Sequence, residues 1–155
     1  MPHLVLDLDG TLLSDAHPRP HLNVFLKFCK KHFETVSVWT AASRDWWCYC
    51  YGEHLRWFDF DRVLTDVDCE IGGRGFYFNG EPSVKKPLAK HWEINKTLIV
   101  DDTPQTAIDN PANLIEVKTW NHEENDAELL QVKALLRERL AWFAETGDVR
   151  VNPRK

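Results

Sequence analysis

Several polar side chains in this sequence stand directly after a short apolar segment. The first segment ends in Asp7 and Asp9, the second in Thr40, and the third in Asp101 and Asp102. Because like charges repel strongly at short range, four carboxylates that meet in one place need a cation among them. Mg²⁺ takes oxygen ligands and often shares its site with a phosphate. These residue types therefore indicate phosphate chemistry with Mg²⁺ as the expected cofactor.

Each of these groups also has a structural interpretation that involves no chemistry. Asp9-Gly10 is typical of a tight turn, Thr40 of a strand end, and Asp101-Asp102 of a helix cap. One such coincidence is common. Three at the same end of three different strands are not, and we therefore favour the functional interpretation.

A pair of lysines, Lys85-Lys86, precedes Pro87. Such a pair is usually a solvated surface feature. It gains weight here because a site with a phosphate and several carboxylates needs a positive charge to balance the negative charge that develops during reaction.

The elements that must position these residues follow from the apolar pattern. Strands and helices alternate, which predicts an α/β fold, three-layered and Rossmann-like, with a central parallel sheet. The carboxyl ends of parallel strands share one edge of a sheet, where ligands bind. Strands are predicted at 4–8, 35–39, 62–65, 97–100 and 114–117, and helices from Pro20, over 43–55, after Pro87 and over 125–144.

The region from about 60 to 84 interrupts this alternation. Gly72-Gly73 and Asn79-Gly80 are turn signals on either side of a predicted strand at 75–78, which indicates a β-hairpin insert. Neither this insert nor the segment between Leu12 and Thr40 has room for a cap domain. We expect a single capless domain over residues 1–155 with a frayed tail after Gly147.

Composition narrows the class of partner. The chain has 155 residues and a net charge of −5, which argues against a protein that binds nucleic acid directly. No apolar stretch approaches the roughly 20 residues of a membrane span, and the N-terminus does not resemble a signal peptide. The cysteines are expected to be reduced core thiols in an intracellular protein, cytoplasmic or nuclear; they are Cys29, Cys48, Cys50 and Cys69.

Four segments, in order, resemble the motifs of the haloacid dehalogenase superfamily of phosphotransferases. They are DLDGTL at 7–12, WTAAS at 39–43, the region of Lys86, and IVDDTP at 99–104. Within that superfamily the chain is most similar to the phosphatases that act on phosphoserine and phosphothreonine in the C-terminal domain of RNA polymerase II. Two positions depart from that group: Gly10 stands where Glu is usual, and Pro87 where Asp is usual.

The resemblance implies a role for each catalytic residue. Asp7 attacks phosphorus and forms an aspartyl-phosphate, and Asp9 acts as general acid and then as general base. Thr40 and Ala41 bind the phosphate. Lys86 neutralises charge on the phosphoryl group, with Lys85 as the less favoured alternative.

The same resemblance implies a metal site. Asp7 and Asp102 ligate Mg²⁺ through their carboxylates, and Asp9 ligates it through its backbone carbonyl. Asp101 either ligates through a water molecule or holds Lys86.

The expected partner is a phosphoprotein or phosphopeptide, which the aromatic hairpin and Trp46-Trp47 would grip beside its phosphate. Alternatives are a small-molecule or phosphotyrosine phosphatase of the same superfamily, and a catalytically silent protein-binding module. The phosphatase half of a nucleic-acid end-repair enzyme is disfavoured by the acidic net charge.

Overall fold

The computed structural model describes residues 1–72, 77–78, 81–82 and 84–150 of the chain. The strands are β1 (His3–Leu6), β2 (Leu13–Ser14), β3 (His17–Pro18), β4 (Thr35–Trp39), β5 (Val63–Leu64), β6 (Glu70–Ile71), β7 (Tyr77–Phe78), β8 (Glu81–Pro82), β9 (Val84–Lys85), β10 (Thr97–Asp101) and β11 (Leu114–Glu116). The helices are α1 (Leu22–His32), α2 (Arg44–Cys50), extended by a π-helical turn (Tyr51–Leu55), and α3 (Glu128–Thr146). Short 3₁₀ turns occupy Asp66–Asp68, Leu88–Lys90, Ile94–Lys96, Pro104–Ala107 and Pro111–Asn113.

Five strands form one parallel sheet in the order β11-β10-β1-β4-β5. β1 is the central strand, and Leu6 pairs with Val100 on one side and with Val38 on the other. The chain therefore leaves β1 towards one side of the sheet and later returns to the other, which opens a crevice beyond the carboxyl end of β1. The residues that follow β1, β4 and β10 emerge at this edge.

Different elements cover the two faces of the sheet. Successive residues of a strand point to opposite faces, so Leu4 and Leu6 lie in the larger core cluster and Val5 in the smaller one. The larger cluster includes buried side chains of α1 and α3, whereas the smaller includes Leu88 and Ala107 from 3₁₀ turns. The α/β fold predicted from the sequence is confirmed, and the second flanking layer consists of short turns.

Two helix starts show how local sequence sets the boundaries. α1 begins two residues after Pro20, because His21 has a φ of 69° and cannot be part of a right-handed helix. α2 begins where the sequence predicts, because the Ser43 hydroxyl oxygen accepts the backbone N–H of Trp46 at 3.2 Å.

α3 has the apolar stripe that its sequence predicts. Leu129, Val132 and Leu136 are buried, and Leu140 and Phe143 pack beside them. The helix begins at Glu128, three residues later than expected, and ends at Thr146. Gly147 follows it with a φ of 73°, a conformation that favours glycine.

The described part of the insert is antiparallel. β6 pairs with β9, and β7 pairs with β8. Of the segment expected as a strand at 75–78, the first two residues lie outside the described residues. The polar, proline-containing stretch at 14–20 contains β3, which pairs with β2. The segment between Leu12 and Thr40 thus holds one short antiparallel pair, α1 and β4.

The four cysteines are free thiols. Cys29 and Cys50 are buried, Cys69 is half-buried and Cys48 is exposed, so the expectation of core thiols is wrong for Cys48. Among the described residues, no helix combines the length and the apolar character that a membrane crossing needs.

The expectation of a frayed tail after Gly147 is wrong for residues 148–150; residues 151–155 lie outside the described residues. Val149 is fully buried in the larger core cluster, and its N–H donates to the Asn95 carbonyl at 2.9 Å. Its own carbonyl accepts the Arg139 guanidinium at 3.1 Å. The buried side chain of Val149 and the two hydrogen bonds of its backbone therefore hold the end of the described chain in place.

Val149→Ala should lower the free energy of unfolding by about 2 kcal/mol, because it removes two buried methyl groups and leaves a cavity. The matched control is Val67→Ala, since Val67 is 81% exposed and its truncation should change stability by less than about 0.5 kcal/mol. Urea unfolding of both variants measures the difference. Equal losses would show that the tail does not pack as described.

Candidate active site

Asp7 is the first residue after β1 and is buried. Its N–H continues the pairing of the sheet by donating to the Val100 carbonyl at 2.9 Å. One carboxylate oxygen accepts Lys86 Nζ at 3.0 Å, and the other accepts the Thr11 hydroxyl at 2.8 Å. Both oxygens are therefore held in fixed directions at the carboxyl edge of the sheet.

Lys86 is buried between two carboxylates. Its Nζ lies 3.0 Å from Asp7 Oδ1 and 2.7 Å from Asp101 Oδ2. Burial lowers the pKa of Lys86, but these two carboxylates outweigh it and raise that pKa above its ordinary value. Lys85 instead pairs with Asp109 nearer the surface, so Lys86 alone of this pair lies among the candidate site residues.

Asp101 connects the lysine to the turn that follows β10. One carboxylate oxygen accepts both Lys86 and the Thr106 hydroxyl, each at 2.7 Å, and the other accepts the Thr103 N–H at 2.9 Å. Burial raises the pKa of Asp101, and the nearby Asp7 carboxylate adds to the rise. Of the two roles expected for Asp101, the structure contains the contact with Lys86.

Asp102 lies beside Gly10. The backbone conformation of Gly10 and this close approach explain why position 10 is glycine, where glutamate is usual in the phosphatases that the chain resembles. Gly10 has a φ of 80°, and a Cβ at this position would collide with the Asp102 carboxylate. Asp102 also accepts the Thr119 hydroxyl at 2.8 Å. A glutamate at position 10 would therefore displace Asp102, and glycine permits the close approach.

Three aspartates form a group that can hold a cation. Asp7, Asp101 and Asp102 each contribute a carboxylate oxygen, and these oxygens lie within 4.8 Å of one another. Burial raises the pKa of Asp7 to about 6; Lys86 opposes this rise and Asp102 adds to it. One lysine does not balance three carboxylates, and the all-oxygen donor set fits Mg²⁺.

Asp9 is half-buried, and its side chain points to a different partner. The Trp46 indole N–H donates to both carboxylate oxygens of Asp9, at 2.9 and 3.1 Å. Burial raises the pKa of Asp9, while the bond from Trp46 opposes the rise. The carboxylate lies outside the aspartate group described above, and the expected metal contact from Asp9 involves its backbone carbonyl.

Thr40 is buried at the end of β4, where its N–H donates to the Leu64 carbonyl at 3.0 Å. Its hydroxyl oxygen accepts the N–H of Ala42 at 3.0 Å. A hydroxyl that accepts this bond still has a hydrogen to donate. Ala41, the other expected phosphate-binding residue, is exposed beside it.

A buried arginine that the sequence analysis did not assign to the site holds the loop after β1. The Arg19 guanidinium donates to the carbonyls of Gly10 and Thr11, at 3.1 and 3.2 Å, and to that of Lys118 at 2.7 Å. It also pairs with both carboxylate oxygens of Asp126. Five contacts on one side chain join the loop that carries Asp9 to the segment before α3. An arginine in a polar stretch gives no sequence signal of such burial.

The sequence did not predict the hydroxyl partners of the aspartates or the contact of Trp46 with Asp9. Thr11 and Thr106 bond to aspartates in the same local turns, whereas the contact of Thr119 with Asp102 spans 17 residues, and sequence spacing does not reveal it. Of the tryptophan pair expected to grip a substrate, Trp47 is wrongly assigned, because it is buried in the larger core cluster.

The parallel α/β sheet has an aspartate after its central strand, an aspartate pair at the end of the neighbouring strand β10 and a buried lysine between them, as in proteins of the haloacid dehalogenase type. The family and the relatives of the chain make it a phosphoric monoester hydrolase of that type. The chain belongs to the NLI interacting factor-like phosphatase family, whose profile matches residues 2–150.

Individual relatives agree with this assignment. The chain is 31% identical over 137 residues to the CTD phosphatase-like protein 355R of Invertebrate iridescent virus 3, covering 79% of this chain and 72% of that protein. It is 28% identical over 133 residues to a CTD small phosphatase-like protein of Homo sapiens, covering 82% of this chain but only 44% of the human protein.

Solved structures show the same fold. Fcp1, an essential RNA polymerase II CTD phosphatase, superposes with a TM-score of 0.70 at 15% identity, covering 93% of this chain and 63% of that one. A protein of Thermotoga maritima described as a β-phosphoglucomutase gives a TM-score of 0.54 at 12% identity, covering 86% and 91%. At these identities the likeness concerns the fold alone.

Asp126→Asn should destabilise the protein by about 2 kcal/mol at neutral pH, because the buried Arg19 loses its counter-charge. Burial raises the pKa of Asp126, but the hydrogen bonds and charge of Arg19 outweigh it, so the folded-state pKa is lowered. The stabilisation is therefore complete above the ordinary aspartate pKa of about 3.9 and is lost as the pH falls through the lowered value. The difference between wild type and variant, followed by urea unfolding, should shrink below about pH 4.

Asp148→Asn is the matched control, because Asp148 pairs with Arg150 where both side chains are partly exposed. It should cost less than about 1 kcal/mol at pH 7. Equal losses for the two variants would contradict a special role for the buried arginine.

Proposed function

We propose that the chain is a magnesium-dependent phosphatase that removes phosphate from phosphoserine or phosphothreonine of a protein through an aspartyl-phosphate intermediate. The observation that carries the proposal is the buried Lys86 between Asp7 and Asp101, with Asp102 beside them. A cluster with this excess of negative charge is costly unless a cation shares it, and a bound cation can in turn balance the charge of a phosphoryl group.

Mg²⁺ fits the donor set at this edge of the sheet. The residues that would hold it are Asp7 and Asp102, through their carboxylates, and Asp9, through its backbone carbonyl. Asp101 would either ligate it through a water molecule or hold Lys86. When bound, the ion supplies positive charge that balances the carboxylates and the transferring phosphoryl group.

In the first half of the reaction, a carboxylate oxygen of Asp7 attacks phosphorus. The bond from phosphorus to the substrate oxygen breaks, and Asp9 gives its proton to that oxygen, so the alcohol leaves neutral. Thr11 and Lys86 hold the two oxygens of Asp7 and so limit its rotation. Orientation of this kind lowers the barrier to attack.

In the second half, Asp9 takes a proton from water as the water oxygen attacks phosphorus. The bond between phosphorus and Asp7 breaks, inorganic phosphate leaves, and both carboxyl groups return to their starting states. Throughout, the Thr40 hydroxyl and the backbone at Ala41 bind phosphoryl oxygens, and Lys86 balances their negative charge.

The proposed substrate is a phosphorylated residue on a protein. With residues 1–155 as one domain, only β2, β3, α1 and β4 separate the loop after β1 from Thr40, which favours a site open to a polypeptide. The viral and human relatives are named for a CTD phosphatase, which favours phosphoserine or phosphothreonine.

Asp7→Asn should reduce magnesium-dependent hydrolysis of p-nitrophenyl phosphate by at least about 1,000-fold, because the amide is a poor nucleophile. A chelator should reduce wild-type turnover to the same background, and added Mg²⁺ should restore it. The variant should remain folded, because Asp101 still pairs with Lys86 and one fewer carboxylate repels Asp101 and Asp102. Phosphate release and thermal unfolding are the two measurements.

Asp59→Asn is the matched control for that experiment, since Asp59 is exposed before β5, and its activity should equal that of wild type. Retention of full activity by Asp7→Asn would refute the aspartyl-phosphate mechanism.

The substrate class needs a separate comparison. We expect kcat/KM for a phosphoserine heptad-repeat peptide to exceed that for phosphotyrosine peptides and phosphorylated metabolites, because an open crevice accepts a flexible chain. Phosphate release under identical Mg²⁺ concentration measures all three. Preference for a metabolite or for phosphotyrosine would reject the substrate and leave the reaction intact.

A further inference from the structure

The carboxylate of Asp9 has one side-chain donor among the described residues, the indole of Trp46. Its Nε1 lies 2.9 Å from Oδ1 and 3.1 Å from Oδ2, so a single N–H spans both oxygens. Asp9 takes part in no ion pair within the described part of the chain, in contrast to Asp7 and Asp101, which share Lys86. Among the described side chains, the one that orients the Asp9 carboxylate by a hydrogen bond is therefore a neutral indole.

Trp46 is itself held by the elements around it. It lies in the first turn of α2, where its backbone N–H donates to the Ser43 hydroxyl. Its ring stacks on Tyr49 with a centroid distance of 5.8 Å and an interplanar angle of 26°. The backbone before this turn is fixed by the bond from the Asp66 N–H to the Ala42 carbonyl at 3.0 Å. The indole is thus anchored close to the end of β4.

The chemistry of an indole suits a residue that must change its protonation state. An indole N–H only donates, so it can bond to one oxygen of Asp9 while the other carries a proton. A lysine or arginine in its place would favour the ionised carboxylate and hinder proton delivery. The N–H of a half-buried tryptophan could instead bond to water. Its bond to both oxygens of Asp9 is therefore a feature that this fold creates.

We propose that Trp46 is a positioning residue that holds the Asp9 carboxyl group in place for proton transfer to the leaving oxygen of the substrate. This inference rests on the proposed function, in which Asp9 is the general acid. Trp46 acts only through Asp9 and makes no proposed contact with the phosphoryl group.

The inference predicts a dependence on the leaving group. The seryl oxygen of a phosphopeptide is a poor leaving group without a proton, whereas p-nitrophenolate is stable and leaves without one. Trp46→Phe keeps an aromatic ring and removes the N–H. It should lower kcat/KM about 10- to 100-fold for a phosphoserine peptide, within the range of general acid catalysis, and less than about threefold for p-nitrophenyl phosphate.

The ratio kcat/KM is the informative quantity, because it reports steps up to transfer of phosphate to Asp7. Hydrolysis of the aspartyl-phosphate is common to both substrates and does not enter it. Asp9→Asn should give the same selective pattern with a larger loss on the peptide.

Trp57→Phe is the matched control. Trp57 is exposed, and its indole N–H donates to the His54 carbonyl at 3.0 Å, so the same atoms are removed away from Asp9. Its kcat/KM should equal that of wild type for both substrates. Trp46→Met gives a second variant without the N–H, with a flexible side chain that can fill the space.

Equal losses on both substrates for Trp46→Phe, or no loss on either, would overturn the inference. Failure of both Trp46 variants to fold would overturn it too, because the indole would then serve the fold. Failure of the proposed function has a different signature: wild type would release no phosphate from either ester, or Asp7→Asn would remain active. Thermal unfolding and wild-type assays separate these outcomes.

Discussion

The buried contact of Lys86 with Asp7 and Asp101 is the interaction on which the rest of this structure depends. Three charged groups are removed from water at the end of the central strand, and each would be strongly unfavourable alone; removing one partner of such a pair costs about 3–5 kcal/mol. The lysine follows β9 at the end of the insert, whereas Asp7 follows β1 and Asp101 is the last residue of β10. The site is therefore complete only when the insert and the sheet are both in place. The ion pairs of Lys86 with Asp7 and Asp101 therefore hold the end of β9 against the carboxyl edge of the sheet.

Arg19 supplies a second buried cation and bonds mainly to backbone carbonyls, whereas Lys86 bonds to the aspartates of the candidate site. Its guanidinium accounts for three carbonyl oxygens and a carboxylate from three separate parts of the chain. Two of those carbonyls belong to Gly10 and Thr11, between Asp9 and the strand pair that follows. Gly10 has a positive φ and lies close to the Asp102 carboxylate. The contacts with Arg19 and with Asp102 therefore both constrain the conformation of this loop. The two buried cations thus have different roles. Lys86 balances the charge of Asp7 and Asp101, and Arg19 fixes the backbone of the loop after β1.

The sheet and the position of its polar residues could be predicted because they depend on local pattern. Apolar runs predict strands such as β10, and parallel strands place the residues after them at one edge. The contacts that refine the site could not be predicted in the same way. Arg19 bonds to Asp126, and Thr119 to Asp102, across long stretches of sequence, and nothing local marks either residue as buried or paired. The burial of Val149 was not predicted, because the residues around it in the tail are mostly polar.

Asp7 and Asp9 lie two residues apart, yet the fold gives them different surroundings. Asp7 is bonded to a lysine and a hydroxyl beside two other carboxylates, whereas Asp9 is bonded only to an indole among the described side-chain donors. A group next to a fixed cation suits a nucleophile that must stay ionised. A group next to a neutral donor suits an acid and base that must gain and lose a proton. Under the proposed mechanism, the division of roles between these two aspartates follows from which partners the sheet edge and α2 bring to each of them.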